Sequence, residues 1–278
     1  MNQDSRIIFG LDIKDPVEAK KLALLVRDHV GLFKIGLEFK NASYGPLVSQ
    51  AWEKAQPHLQ AVNDLYQSIG PRQLFADEKL MDIPKTIEGA VGPIARSDVR
   101  MFNVHCLGGS PMLKAAINAA DSMKIVSSTG ERPIVLGVTI LTSLNYDHLV
   151  ELGFFDAMNL PRDEKDKRVR WLVRRLALLA QDCGLDGVVC SPQEIVTVRV
   201  ACGPDFLIVT PGIRASDAPP DDQQRTMTPT EAITAGADWL VVSRPIKDHP
   251  PERGGPVEAA KLINLEIDEA LRASGRRS

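Results

Sequence analysis

Eight short apolar runs recur along the chain, each followed by a stretch with helical spacing, and this alternation narrows the possible folds more than any other feature. The runs fall at residues 7–11, 32–35, 74–77, 101–105, 134–140, 187–190, 207–210 and 240–242. The stretches between them place apolar residues three and four apart, the spacing of one helix face. They cover 16–27, 44–69, 84–96, 111–124, 163–183, the residues after Pro192, 228–235 and 257–273. Asp15 is placed to cap the first, and Pro84 suits the opening turn of the third. Pro57 is expected to break the 44–69 stretch in two. Residues 142–159 read as a looser connection. Strands that alternate with helices imply a parallel sheet. Eight strands close a barrel that its own side chains can fill. The expectation is therefore α/β, a single (β/α)8 TIM barrel over residues 1–278. It would carry a longer segment at about 44–73 and a basic tail at Arg276 and Arg277. An open doubly wound sheet is the alternative, but no G-x-G-x-x-G follows the first strand.

The net charge is −3, from 33 basic and 36 acidic residues. That balance points to no nucleic acid and no membrane surface as partner. An anionic substrate would need a local basic cluster. No apolar run is long enough to span a bilayer, and residues 1–6 show no signal region. Cys106, Cys183, Cys190 and Cys202 have no paired spacing, which reads as reduced thiols in the cytoplasm. The five histidines lack ligand spacing as well, so no metal is expected. His105 reads as a packed barrel residue. Trp52, Trp171 and Trp239 read as core or interface.

One stretch is unusually charged for its place. Asp77, Lys79 and Asp82 stand at i, i+2 and i+5, directly after an apolar run and directly before Ile83-Pro84. On a strand, Asp77 and Lys79 share a face. A lysine between carboxylates keeps its proton against desolvation, and can give it up when an anion appears beside it. In a barrel of this kind the strand ends form the active site. Asp12, Lys34, Asp77 with Lys79, Thr142 with Ser143, Arg214, and Ser243 with Arg244 all stand at such ends. The loops after strands seven and eight commonly hold phosphate. The backbone N–H groups of Ser243 and Arg244, with the Arg244 guanidinium, suit that task, and Arg214 is on the neighbouring loop. Gln223 falls in a polar loop of the sort that forms a lid.

With these residues in place, the chain resembles the orotidine 5′-phosphate decarboxylase family. The matching segments are Phe9-Gly10-Leu11-Asp12, Phe33-Lys34-Ile35-Gly36, residues 77–86, Asn103-Val104-His105 with Gly108-Gly109, residues 137–143, residues 184–191, residues 209–214, Asp222-Gln223 and residues 241–246. They run in family order over nearly the whole chain. The resemblance implies decarboxylation of orotidine 5′-phosphate to UMP, the last step of de novo pyrimidine synthesis, with no cofactor. It implies a charged array of Lys34, Asp77 and Lys79 with Asp82 from a partner subunit, in which Lys79 protonates C6. It implies that Asp12 and the partner's Thr86 contact the ribose, and that Thr142 and Ser143 lie by the pyrimidine. Gln223, Arg214, Ser243 and Arg244 would bind the phosphate. A homodimer with shared sites follows.

Three features depart from the family pattern. Glu78 stands where an apolar residue is usual, Ser243 stands where glycine is usual, and the segment between Gly36 and Asp77 is longer. Two other readings remain open. One is a Mg²⁺-dependent barrel of the keto-gulonate-phosphate decarboxylase or hexulose-phosphate synthase type, which also carries D-x-K-x-x-D. A cation at Lys34 would repel such a metal. The other is a silent phosphosugar-binding barrel, against which the intact set of Lys34, Asp77, Lys79 and Asp82 speaks.

Overall fold

The computed structural model describes residues 4–70, 72–122, 130–214 and 226–275. Eight parallel strands pair in sequence order and close on themselves. They are β1 (Ile7–Gly10), β2 (Leu32–Ile35), β3 (Leu74–Leu80), β4 (Met101–His105), β5 (Ile134–Val138), β6 (Gly187–Val189), β7 (Leu207–Thr210) and β8 (Trp239–Val242). The closing seam pairs Ile7 with Leu240, Ile8 with Val241 and Phe9 with Val242. The expected single (β/α)8 TIM barrel is present. Its helices are α1 (Pro16–Val26), α2 (Leu37–Ser49), α3 (Trp52–Ile69), α4 (Pro84–Arg96), α5 (Gly109–Ser122), α6 (Tyr146–Glu151), α7 (Arg162–Asp182), α8 (Ile195–Cys202), α9 (Pro229–Ala235), α10 (Arg244–Lys247) and α11 (Gly255–Ala273). Among the described residues, no helix is long and apolar enough to cross a membrane.

Strand alternation separates two cores. One cluster, Ile8, Leu32, Phe75, Met101, Leu136 and Val209, fills the barrel interior. The other joins the outward faces to the helices through residues such as Phe9, Phe33, Ile35, Ala76, Phe102 and Val104. Moving two residues along a strand keeps the same face. The layer above Ile8, Leu32, Phe75 and Met101 is therefore made of Gly10, Lys34, Asp77 and Asn103. The polar floor of the mouth rests directly on the apolar interior. A Cβ at Gly10 would come 3.0 Å from Ser243 Cβ and 3.1 Å from Asp12 Oδ2. Glycine there allows β1 and the end of β8 to approach closely.

Asp15 caps α1 as expected, with its Oδ1 accepting the Val17 and Glu18 N–H groups at 2.9 Å each. Other expectations need correction. The turn between α2 and α3 falls at extended Gln50 and Ala51, not at Pro57. Pro57 stands in the second turn of α3, where its missing N–H removes a single backbone bond near the helix start. Residues 142–159 are less loose than expected. Asn145 Oδ1 accepts the His148 N–H at 3.1 Å, and His148 Nδ1 accepts the Asn145 N–H at 3.2 Å. That reciprocal cap starts α6, and Tyr146 stacks on Phe155 at 5.4 Å. Of the tryptophans expected in core or interface, Trp239 packs against the inner cluster, while Trp52 and Trp171 are exposed and so are not core residues. All four cysteines are free, three of them buried. Gln223, the surrounding polar loop and the tail at Arg276 and Arg277 lie outside the described residues.

Candidate active site

The largest departure from a regular strand is in β3. Ala76 pairs with Phe102 and Leu80 with Val104, so β3 advances four residues while β4 advances two. The extra length forms a bulge, a device that re-aims side chains next to active sites. Lys79 takes the left-handed backbone region, at φ +49°. That conformation is uncommon for a side chain of this kind and persists only where its surroundings hold it. Asn103 on β4 provides the hold. Its Oδ1 accepts the Lys79 N–H at 2.6 Å, and its Nδ2 donates to Asp77 Oδ1 at 2.7 Å. A buried side-chain amide thus replaces the ladder partner that the bulge removes.

Four side chains form a line of alternating charge across β1, β2 and β3. Lys34 Nζ lies 3.0 Å from Asp12 Oδ1 and 3.2 Å from Asp77 Oδ2. Lys79 Nζ lies 2.7 Å from Asp77 Oδ1. Burial alone would push Lys34 toward its neutral form. The Asp77 and Asp12 carboxylates outweigh it and hold the ammonium above its ordinary value of 10.5. Burial likewise opposes the Asp77 charge, but Lys34, Lys79 and the Asn103 amide together hold its carboxyl below 3.8. Both groups are fixed in their charged forms. Lys34 does not reach out to solvent, since its side chain is only 11% exposed.

Asp12, Lys34, Asp77 and Lys79 line a cavity of about 500 Å³. Arg214 after β7, Ser243, Arg244 and Lys247 after β8, and Thr142 after β5 line it as well. Among the described residues, the lining holds five cationic side chains and three carboxylates, those of Asp12, Glu38 and Asp77. This is the local basic excess that an anionic ligand requires of a chain with net negative charge. The Ser243 hydroxyl donates to the Gly10 carbonyl at 2.9 Å, across the barrel seam. The Arg214 N–H donates to the Met227 carbonyl at 3.0 Å, joining the two edges of the loop after β7.

The structure thus brings together Asp12, Lys34, Asp77, Lys79, Thr142, Arg214, Ser243 and Arg244. Ser143 is exposed beside Thr142 and does not line the cavity. Asp82 and Thr86 are exposed and stand outside their own chain's cavity, where Asp82 Oδ1 accepts the Ile83 N–H at 2.7 Å. His105 is half-buried, not packed away. Burial first, and then the Lys79 charge, lower its pKa below 6.5. Asn103 and Lys247 were missed as site residues. A readable signal existed for Asn103: it is the one polar residue within the run Met101-Phe102-Asn103-Val104, at the parity that faces the barrel.

Known proteins share this arrangement of elements. A family model described as "Orotidine 5'-phosphate decarboxylase / HUMPS family" matches residues 5–263. A protein of Geotalea daltonii named orotidine 5′-phosphate decarboxylase is 42% identical over 263 residues, 95% of this chain and 96% of its own. One of the same name from Moorella thermoacetica is 40% identical over 269 residues, 96% of this chain and 94% of its own. The crystal structure of orotidine 5′-phosphate decarboxylase from Lactobacillus acidophilus superposes with a TM-score of 0.70 at 28% identity, covering 95% of this chain and 100% of that one.

Proposed function

The chain belongs to the orotidine 5′-phosphate decarboxylase / HUMPS family, and from that premise we propose that its cavity decarboxylates orotidine 5′-phosphate to UMP without a cofactor. The observation that carries this reading is the line Asp12–Lys34–Asp77–Lys79 sharing one cavity with Arg214, Arg244 and Lys247. The basic side takes the phosphate. The charged line takes the end of the ligand where the C6–carboxylate bond breaks.

Breaking that bond releases CO₂ and leaves the electron pair on C6. The Lys79 ammonium stands beside the growing negative charge and then transfers its proton to C6. Asp77 lies next to the departing carboxylate. Lys34 holds Asp77 and Asp12 in place. A preorganised field of this kind lowers the barrier because it is already aligned before reaction. Phosphate binding at the far pole adds energy that is used to close and orient the site. Both oxygens of Asp77 are occupied by ammonium groups, which leaves the pair Asp12 and Asp77 poorly suited to a divalent cation.

The enzyme works as a homodimer with shared sites on this reading. Asp82 and Thr86 are exposed outside their own cavity, and Met81 and Ile83, which flank Asp82, are 56% and 67% exposed. Apolar side chains so placed suit a two-fold contact that carries Asp82 into the neighbouring site. The free thiols, three of them buried, suit the reducing cytoplasm.

The test is turnover of orotidine 5′-phosphate, followed by loss of substrate absorbance, with and without EDTA. Activity that survives chelation is expected. Activity lost to EDTA and restored by Mg²⁺ would favour the metal-dependent relatives, and no turnover at all would favour a silent phosphosugar-binding barrel.

A further inference from the structure

Alternation along β3 sends Asp77 and Lys79 into the barrel and Glu78 outward. Glu78 enters a cavity of about 480 Å³ between the barrel wall and the helices, lined by Ile35, Tyr66, Ala76 and Ile94 among others. In that cavity its carboxylate forms an ion pair with Lys40 of α2. The Glu78 side chain is only 11% exposed, and Lys40 is its charged partner there. The open volume means that Glu78 is not held by close packing on its outer side. Burial pulls the Lys40 ammonium below its ordinary value of 10.5, against the nearby Asp77 charge, which opposes that shift.

We propose that Lys40 and Glu78 are positioning residues for Lys79. The bulge is held from inside the barrel by Asn103 and from outside by this ion pair, and the two together aim the Lys79 ammonium at Asp77 and the substrate. The chain carries a carboxylate at position 78 because the space behind it is bridged by charge instead of filled by apolar packing. This inference rests on the reading of Lys79 as proton donor.

The test is a double-mutant cycle of Glu78→Gln, Lys40→Met and the two combined, in the full-length enzyme. Turnover of orotidine 5′-phosphate, the KM, the inhibition constant of UMP and Tm are measured for each, with kinetics taken well below every Tm. Each single variant is expected to lose about tenfold in kcat, because displacement of a catalytic group by a fraction of an ångström is costly. KM and the UMP constant should stay within about threefold, since the phosphate pole is untouched. The double variant should be no slower than the slower single variant, because residues acting as a unit are not additive. A purely structural pair would lower Tm and leave kcat of the folded enzyme unchanged. That result, or additive losses in kcat, overturns the proposal while wild-type turnover upholds the family reading. A wild-type enzyme without turnover overturns both.

Discussion

Asn103 holds Lys79 by its backbone and not by its ammonium: the Lys79 N–H reaches Asn103 Oδ1 at 2.6 Å from the neighbouring strand. The same amide donates to Asp77. Asn103→Ala removes both bonds and leaves a part-buried N–H unsatisfied, at a cost of about 2 kcal/mol in stability. Turnover should fall at least about tenfold, because Lys79 then lacks its register. Urea titration and steady-state kinetics check this. Unchanged kcat at 25 °C would show that the bulge sustains itself.

Asp77 predicts a pH dependence of stability. Its folded pKa lies below 3.8, so unfolding takes up a proton there and the stabilisation is present above that value. It is lost as pH falls from 3.8 through the folded pKa. Lys34 behaves in the opposite sense: its folded pKa lies above 10.5, and its stabilisation is lost as pH rises through that folded value. Asp77→Asn should cost about 3 kcal/mol at pH 7, since it leaves two lysines without their shared partner. It should also flatten the acid limb of urea midpoints measured from pH 7 to pH 2.5. An acid limb as steep as in wild type would mean that other carboxylates set it.

Arg244 predicts a mixed kinetic defect. Loss of one charge-assisted contact to a phosphate costs about 1.5–3 kcal/mol. KM should rise strongly in Arg244→Ala, and kcat should fall as well, because part of the phosphate binding energy orders the site. An unchanged KM places the phosphate elsewhere.

Asp82 predicts complementation between subunits. Lys79→Ala and Asp82→Ala are each expected to be nearly inactive, while Lys79→Ala still binds UMP. In a mixed dimer, one site inherits both changes and the other inherits neither. With equal amounts and random reassortment, about half the dimers are mixed, so about a quarter of wild-type activity should return. The two variants are dissociated and reassociated together, with exchange followed by native mass spectrometry of tagged chains. Full exchange without recovery means that Asp82 serves its own chain.

Much of this architecture was readable from period and order. Eight apolar runs at strand length, each followed by a helical stretch, left few alternatives to a closed barrel. The shared face of Asp77 and Lys79, and the position of Asp12, Lys34 and Arg244 at strand ends, placed the charged groups at one mouth. Part of what escaped was set by contacts distant in sequence. The expected strand at 74–77 extends to Leu80 because Asn103, on another strand, supplies the bond that a bulge would otherwise lose. The α6 cap at Asn145 and His148 went unread because histidine there fills a place usual for Glu or Gln. Ser243, in place of the usual glycine, has its hydroxyl engaged by the Gly10 carbonyl. Nothing within either segment alone announces that bond.

The seam between β1 and β8 has a consequence in time. Residues 7–9 pair with residues 240–242, so β1 waits for β8 to be made. Contacts of such separation are slow to form, because the whole intervening chain must be ordered around them. A nascent chain that has reached β4 already carries Lys34, Asp77, Lys79 and Asn103. It has neither a closed barrel nor Arg244. Chemistry therefore begins only once β8 and Arg244 have been made, and a chain cut short before Trp239 is an inert one.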